Sequence, residues 1–150
     1  MGADAAAALD RAEREFLLAI AAEAVGGIHW CLDAVVTHAR DREQFGRPIA
    51  SFEAVAHACV DMLTVFQEVS EAARYAAVAD VEGVAEAPTA ARVAALRTGQ
   101  AYRGVTQTAI QLFGGIGSSG EHGAQLYYRR AWAAERLSGG PHAHRAALTD

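Results

Sequence analysis

The chain has 150 residues, of which 52% are hydrophobic, and its formal net charge is -5. This length suits one domain whose core is large enough to fold without disulfides or a structural metal. Abundant alanine and only three prolines favour long helices. The acidic balance argues against a nucleic-acid-binding surface, which needs clustered Lys and Arg. We therefore expect a single all-α domain over residues 1–150.

The first predicted helix covers about residues 6–38. Its apolar side chains recur at three- and four-residue steps, which places them on one face of a helix. Gly26 and Gly27 lie inside this helix, where each glycine costs about 1 kcal/mol of stability relative to alanine. We expect close helix packing at these positions to offset that cost. The apolar stripe consists of Leu17, Ile20, Ala24, Ile28, Cys31 and Val35.

The second predicted helix covers residues 51–80 and has the most regular stripe in the chain. Ser51 follows Pro48 and is predicted to be the N-cap. Phe52, Met62 and Phe66 are expected to be ordinary core residues. The full stripe is Phe52, Val55, Cys59, Met62, Phe66, Val69 and Ala73.

Two further helices are predicted, over residues 88–113 and 121–137. Pro88 lies near the first turn of the third helix, where proline is tolerated. Gly139-Gly140-Pro141 ends the fourth helix and leaves residues 142–150 as a short tail. Four helices with short or moderate connections must bury their stripes against one another, which predicts an up-down four-helix bundle.

The glycines at 115, 117 and 120 have the spacing of a dinucleotide-binding fingerprint. That motif functions only where a strand turns into a helix within a βαβ unit. The residues up to Phe113 are predicted to be helical instead. A glycine loop that ends a helix is therefore the preferred interpretation.

Metal and membrane sites are not predicted. A di-iron bundle requires Glu-x-x-His on two helices, and the sequence contains none; Glu53 and His57 alone do not make a ligand set. Cys31 and Cys59 lie in apolar patterns that favour buried thiols. No apolar run approaches the ~20 residues of a membrane span, and the start lacks a secretion signal, so a cytoplasmic location is expected.

Two segments give the strongest functional signal: residues 42–48 and residues 111–117. Each places cationic or amide side chains beside glycine backbone, which suits a phosphate-rich ligand lying across helix ends. Together they resemble the C-terminal helical domain of the acyl-CoA dehydrogenases, which use FAD to oxidise acyl-CoA thioesters at the α,β carbons. The similarity extends from about residue 18 to residue 145 and includes Ala24–Gly27, Ala39–Ile49, Asp61-Met62, Gln111, Gly114, Gly115, Gly117, Glu121-His122 and Leu126–Ala131.

The resemblance implies a role for five residues. Arg42 and Phe45 would hold the pyrophosphate and adenine part of an FAD bound mainly by a neighbouring subunit. A guanidinium can pair with phosphate through two parallel hydrogen bonds, and an aromatic face can pack on adenine. Gln111 would offer an amide to the same cofactor, while Gly114 and Gly115 let it approach the backbone. A solvated salt bridge is the alternative role for Arg42.

The sequence departs from the family pattern at the catalytic base. The position where many members carry a glutamate falls at Ser138, and serine cannot abstract an α-proton as a carboxylate does. Members with a base on the first helix would place it near Phe16, which makes Glu15 a weak candidate. Glu135 is the other nearby carboxylate. Glu53 replaces a common glutamine and would repel pyrophosphate unless Arg42 or Arg47 neutralises it.

Two functions follow as expectations. The resemblance implies a partial chain or partner subunit of an FAD-dependent acyl-CoA dehydrogenase of lipid metabolism, which shares its flavin site within a dimer or tetramer. Complete members also carry an N-terminal helical domain and a central β domain, so these 150 residues are not expected to build the acyl-CoA pocket alone. The alternative is a non-catalytic helical subunit that serves only oligomerisation or assembly.

Overall fold

The computed structural model of the chain describes residues 2–119 and 122–149, and these are almost entirely helical. The four longer helices form the predicted bundle, which confirms the all-α fold class. A short fifth helix follows the bundle. The helices are α1 (Gly2–Asp41), α2 (Glu53–Glu82), α3 (Ala87–Phe113), α4 (Gly123–Leu137) and α5 (Gly140–Thr149).

Helix α3 is the central element, because it packs against α1, α2, α4 and α5. Its buried positions recur every three or four residues and include Tyr102, Val105 and Ala109. They face the predicted stripe of α1, of which Ile28, Cys31 and Val35 are fully buried. The packing of these faces removes apolar surface from water and is the main stabilising contribution to the domain.

Helices α1 and α3 pack closely at Gly27. A Cβ built on Gly27 would overlap the ring of Tyr102, which is fully buried. A Cβ on Gly26, by contrast, would meet no atom within 4 Å. Close packing therefore explains Gly27, whereas the same expectation for Gly26 is wrong.

The beginning of α2 and the end of the chain differ from the prediction. Ser51 is not an N-cap, because it lies in a 3-10 turn (Ile49–Ser51) and its hydroxyl donates to the Pro48 carbonyl at 2.7 Å. Phe52 occupies the N-cap position without a side-chain cap. Residues expected to form a short tail belong to α5, which packs on α3 and buries His144. The tail prediction failed because proline at the second position of α5 starts a helix as readily as it ends one.

Helix α1 also corrects the expectation about apolar runs. Within Asp4–Asp41 it is long and apolar enough to cross a membrane, judged by length and composition alone. The same helix buries Ala21, Ala24 and Ile28 inside the bundle. A core helix meets these criteria as well, so the feature is only weak support for a membrane span.

The two thiols have different environments, and this predicts different reactivity. Burial raises the pKa of Cys31 to about 12, and this side chain is 0% exposed. Cys59 is half-buried, and burial raises its pKa as well. Because the thiolate is the reactive form, we expect Ellman's reagent to modify Cys59 in the native protein and Cys31 only after unfolding. Cys59→Ser should abolish the native reaction, whereas equal rates for both thiols would contradict the packing.

Candidate functional site

A short hairpin between α1 and α2 carries two of the predicted ligand-binding residues. Strands β1 (Glu43–Gln44) and β2 (Arg47–Pro48) pair antiparallel, with Gln44 opposite Arg47. The turn residues Phe45 and Gly46 have φ values of 55° and 76°. Two consecutive positive φ angles are typical of a type I′ turn, whose twist matches paired strands. The sequence did not predict these two strands.

The hairpin presents an aromatic side chain at its tip. Phe45 is 92% exposed and makes an edge-type contact with Phe52, with ring centroids 6.1 Å apart. The Arg47 guanidinium lies 4.2 Å above the Phe52 ring, a cation–π geometry. Phe52 is half-buried and belongs to none of the buried core clusters, so its assignment to the core was wrong. It supports the hairpin instead.

The glycine loop after α3 depends on two of its glycines for its shape. Gly114 ends the helix with φ 64°, and its N–H points to the carbonyls of Ile110 and Gln111 at 3.2 Å. A Cβ on Gly117 would lie 2.7 Å from the Ile110 carbonyl oxygen, so only glycine fits there. A Cβ on Gly115 would meet no atom within 4 Å, which leaves its backbone open to approach. As expected for a helix-ending loop, helix α3 precedes these glycines.

The ends of α1 and α3 meet at an open cleft of about 430 Å³, which we call the hairpin cleft. Arg42 borders it on one side, and Gly114 and Gly115 border it on the other. Gln111 is exposed and lies outside the lining, one residue before Leu112, which belongs to it. Phe45 lies at the hairpin tip and is also outside the lining. The full lining is His38, Arg42, Gln44, Ile49, Leu112, Phe113, Gly114, Gly115 and Ile116.

The backbone fixes Arg42 at the rim of the hairpin cleft. Its N–H donates to the His38 carbonyl and its carbonyl accepts from the Ile49 N–H, both at 2.8 Å. The guanidinium makes no ion pair within the part of the chain that the structure describes. Two helix C-termini border the cleft, and their partial negative charge opposes an anion. An anionic ligand would therefore depend on the charge of Arg42.

A histidine that the sequence reasoning missed also lines the hairpin cleft. His38 lies one helical turn before Arg42, a spacing that could have indicated it. Its ring contacts the edge of Phe113 at a centroid distance of 5.0 Å, and Phe113 contacts His122 at 4.4 Å. Burial lowers the pKa of His38, and the nearby charges of Arg42 and His122 lower it further. The imidazole is therefore favoured in its neutral form.

The family base position is at the opposite end of α4 from the glycine loop. Ser138 ends α4, and its hydroxyl donates to the Glu135 carbonyl at 3.0 Å. Glu135 is buried; one carboxylate oxygen accepts from Arg103 at 3.0 Å, and the other has no hydrogen-bond partner among the described residues. Glu15 is exposed on α1 and accepts from Arg11 at 2.7 Å. At 1.5 Å per residue it lies about 40 Å along the helix from Arg42.

Glu53 does not line the hairpin cleft. It is the first residue of α2, its side chain is 85% exposed, and it lies 3.8 Å from His57. A carboxylate at a helix N-terminus is favourable to the helix. Within residues 2–119 and 122–149, no group of three or more His, Cys, Asp or Glu side chains could hold a metal ion.

Comparison with known proteins identifies the family. The family's sequence model for the acyl-CoA dehydrogenase C-terminal domain matches residues 8–148 of this chain. The chain belongs to the acyl-CoA dehydrogenase family. That family consists of FAD-dependent oxidoreductases, and its C-terminal domain is a helical bundle.

Curated relatives of the chain are themselves acyl-CoA dehydrogenases. Acyl-CoA dehydrogenase FadE34 from Mycobacterium tuberculosis is 42% identical over 133 residues, which are 87% of this chain and 19% of that protein. Acyl-CoA dehydrogenase IpdE2 from Mycolicibacterium smegmatis is 39% identical over 124 residues, 83% of this chain and 38% of that protein. The chain thus spans less than two fifths of the length of these relatives.

Solved structures share the fold of the chain. Butyryl-CoA dehydrogenase from Megasphaera elsdenii superimposes with a TM-score of 0.86 at 25% identity, over 89% of this chain and 34% of that one. The ChsE4-ChsE5 complex from Mycobacterium tuberculosis gives a TM-score of 0.85 at 26% identity, over 91% of this chain and 37% of that one. The structural neighbours of this domain therefore include a complex of two different subunits.

Proposed function

We propose that this domain supplies one side of an FAD site in an enzyme that oxidises the CH–CH group of acyl-CoA thioesters. The observation that carries the proposal is the hairpin cleft, where Arg42 and the Gly114-Gly115 backbone face one ligand-sized space. The family membership supports FAD as the ligand. In the same proposal, Gln111 and Phe45 bind the cofactor from the cleft edge and the hairpin tip.

The residues of the cleft fit part of a flavin nucleotide. The guanidinium of Arg42 matches phosphate oxygens through paired hydrogen bonds, and its charge offsets the two helix C-termini. Gly115 leaves backbone open on the other wall. The exposed ring of Phe45 offers an aromatic face for adenine. The cleft is open on one side, so a neighbouring subunit would cover the remainder of the cofactor.

The chemistry divides between the cofactor and the protein. When bound, FAD supplies the acceptor for the hydride that leaves the substrate β-carbon. Arg42, Gln111 and the glycine backbone bind and orient its phosphate and adenine end. Ser138 cannot remove the α-proton, and we leave the catalytic base unassigned.

Association with further subunits is part of the proposal. Multi-subunit structural neighbours support it. So do large apolar side chains exposed on α2 and α4, since such surfaces often mark protein interfaces. We expect a dimer or tetramer with a neighbouring dehydrogenase subunit, located in the cytoplasm. The exposed side chains are Val60, Leu63, Tyr75, Val78, Val81, Leu126, Trp132 and Leu137.

Flavin binding tests the proposal. FAD should bind to the purified chain, and more tightly when the chain is co-expressed with an adjacent dehydrogenase subunit, as measured by quenching of flavin fluorescence. The chain alone should not reduce a flavin-linked acceptor with any acyl-CoA. Ser138 at the base position favours a second function, a purely structural assembly subunit. A structural subunit would form the same oligomers as an FAD-binding one but would carry no flavin, whether purified alone or co-expressed. Oligomers without bound flavin in both preparations would refute the FAD proposal.

A further inference from the structure

The His38 side chain occupies a position that the proposed FAD site does not explain. It lines the hairpin cleft beside Arg42, four residues away on the same face of α1. The ring is half-buried, and neither nitrogen makes a hydrogen bond with a described residue. Its ring makes a T-shaped contact with Phe113 at the cleft wall. The imidazole nitrogens therefore remain available to a ligand.

Burial has the largest effect in lowering the pKa of His38, and nearby charges lower it further while the cleft contains no anion. Arg42 faces it from the end of α1, and His122 faces it from the segment before α4; both disfavour a second positive charge. Asp41 has the opposite, smaller effect. His122 itself accepts a hydrogen bond at Nδ1 from the Ala124 N–H, which orients its ring as the cap of α4. Helix α3 contributes the ring of Phe113 to the same cleft wall. The 3-10 turn after the hairpin, η1, contributes Ile49.

We propose that His38 is a second cationic contact for the ligand's diphosphate, and that it takes up one proton from solvent when the diphosphate binds beside Arg42. This inference rests on the proposed function. A diphosphate beside Arg42 adds negative charge next to the imidazole, and an opposite charge favours the protonated form. Protonated His38 then donates a hydrogen bond to a phosphate oxygen.

The proton uptake makes binding depend on pH with a defined sign. Because the pKa of His38 is higher in the complex than in the free chain, affinity is greatest at low pH and falls as the pH rises through the range of about 5 to 8. One proton limits the change to tenfold in Kd per pH unit. FAD is a suitable probe, since its diphosphate diester does not titrate in this range.

Nuclear magnetic resonance of the full chain tests the proposal directly. The C2–H resonance of His38 should titrate at lower pH without FAD than with saturating FAD, while His29, near the middle of α1, serves as the control and should not shift. His38→Phe keeps a ring against Phe113 and should remove the pH dependence of the FAD affinity. Arg42→Ala should remove the FAD-induced shift of the His38 titration.

The outcomes separate this inference from the proposed function. If FAD shifts the amide resonances of Gly114 and Gly115 but leaves the His38 titration unchanged, FAD binds in the cleft and the role of His38 is wrong. The same conclusion follows if His38→Phe retains the full pH dependence. If FAD shifts neither the glycine amides nor His38, the proposed function fails and this inference fails with it.

Discussion

Replacing Gly27 with alanine is expected to destabilise the protein strongly. The added Cβ would overlap the ring of Tyr102, and this ring is fully buried in the α1–α3 contact. Overpacking a core at native density forces side chains off their rotamers and separates helices, at a cost of about 1–3 kcal/mol. For a domain of this size the melting temperature should fall by about 2–4 °C per kcal/mol, as measured by circular dichroism.

Gly26→Ala is the matched control for that substitution. A Cβ at Gly26 meets nothing within 4 Å. Alanine is a better helix former than glycine by about 0.5–1 kcal/mol, so Gly26→Ala should stabilise the protein. In a Tyr102→Leu background, the additional cost of Gly27→Ala should shrink, because the ring that the methyl group overlaps is gone. Equal stability of Gly26→Ala and Gly27→Ala would show that the two helices are not in the observed register.

Replacing Arg42 with alanine is expected to have the largest effect on function, a loss of FAD affinity of about 10- to 100-fold. Hydrogen bonds to a charged partner contribute about 1.5–3 kcal/mol, and the guanidinium can form two of them with a diphosphate. The effect should be largest at low ionic strength, because Arg42 is exposed and its charge is screened by salt. Fluorescence titration of the co-expressed complex gives the Kd.

Two variants separate the geometry of Arg42 from its charge. Arg42→Lys keeps a positive charge but loses the planar fork, so its affinity should lie between that of the wild type and that of Arg42→Ala. Arg40→Ala removes the same charge from an exposed position two residues earlier on α1 that does not line the hairpin cleft. Its affinity should remain within about twofold of the wild type, the scale of a screened surface charge. An equal loss for Arg40→Ala would indicate general electrostatic attraction rather than a site.

The long helices were predictable because their stripes are regular over many turns. Leu17, Ile28 and Val35 satisfy a single periodicity, and all three are buried. Helix ends were less predictable, since they depend on single hydrogen bonds. Ser51 has the residue type of an N-cap, but its hydroxyl instead completes the 3-10 turn with Pro48. Helix α5 escaped prediction because Gly139-Gly140-Pro141 can end one helix and begin the next without a spacer.

The candidate site was predictable where residue type and family pattern coincide. Arg42, Gly114 and Gly115 were selected from the sequence, and the structure places all three around the hairpin cleft. Their role in cofactor binding stays a prediction, as do those of Gln111 and Phe45. His38 was not selected, because its one-turn spacing from Arg42 is common on helices and indicates no particular ligand. Only the tertiary contact with Phe113 and the convergence of two helix ends distinguish it from the exposed His57.

The left-handed backbone at Phe45 has a consequence for encounter with a partner surface. An aromatic residue with φ 55° costs about 1–2 kcal/mol that asparagine or glycine would largely avoid at this turn position. The free energy of folding the domain already offsets this cost before any partner binds. The cross-strand pairing of Gln44 with Arg47 keeps the turn closed. The backbone that carries the ring is thus preorganised, so that burying the ring against another molecule orders only its side-chain torsions.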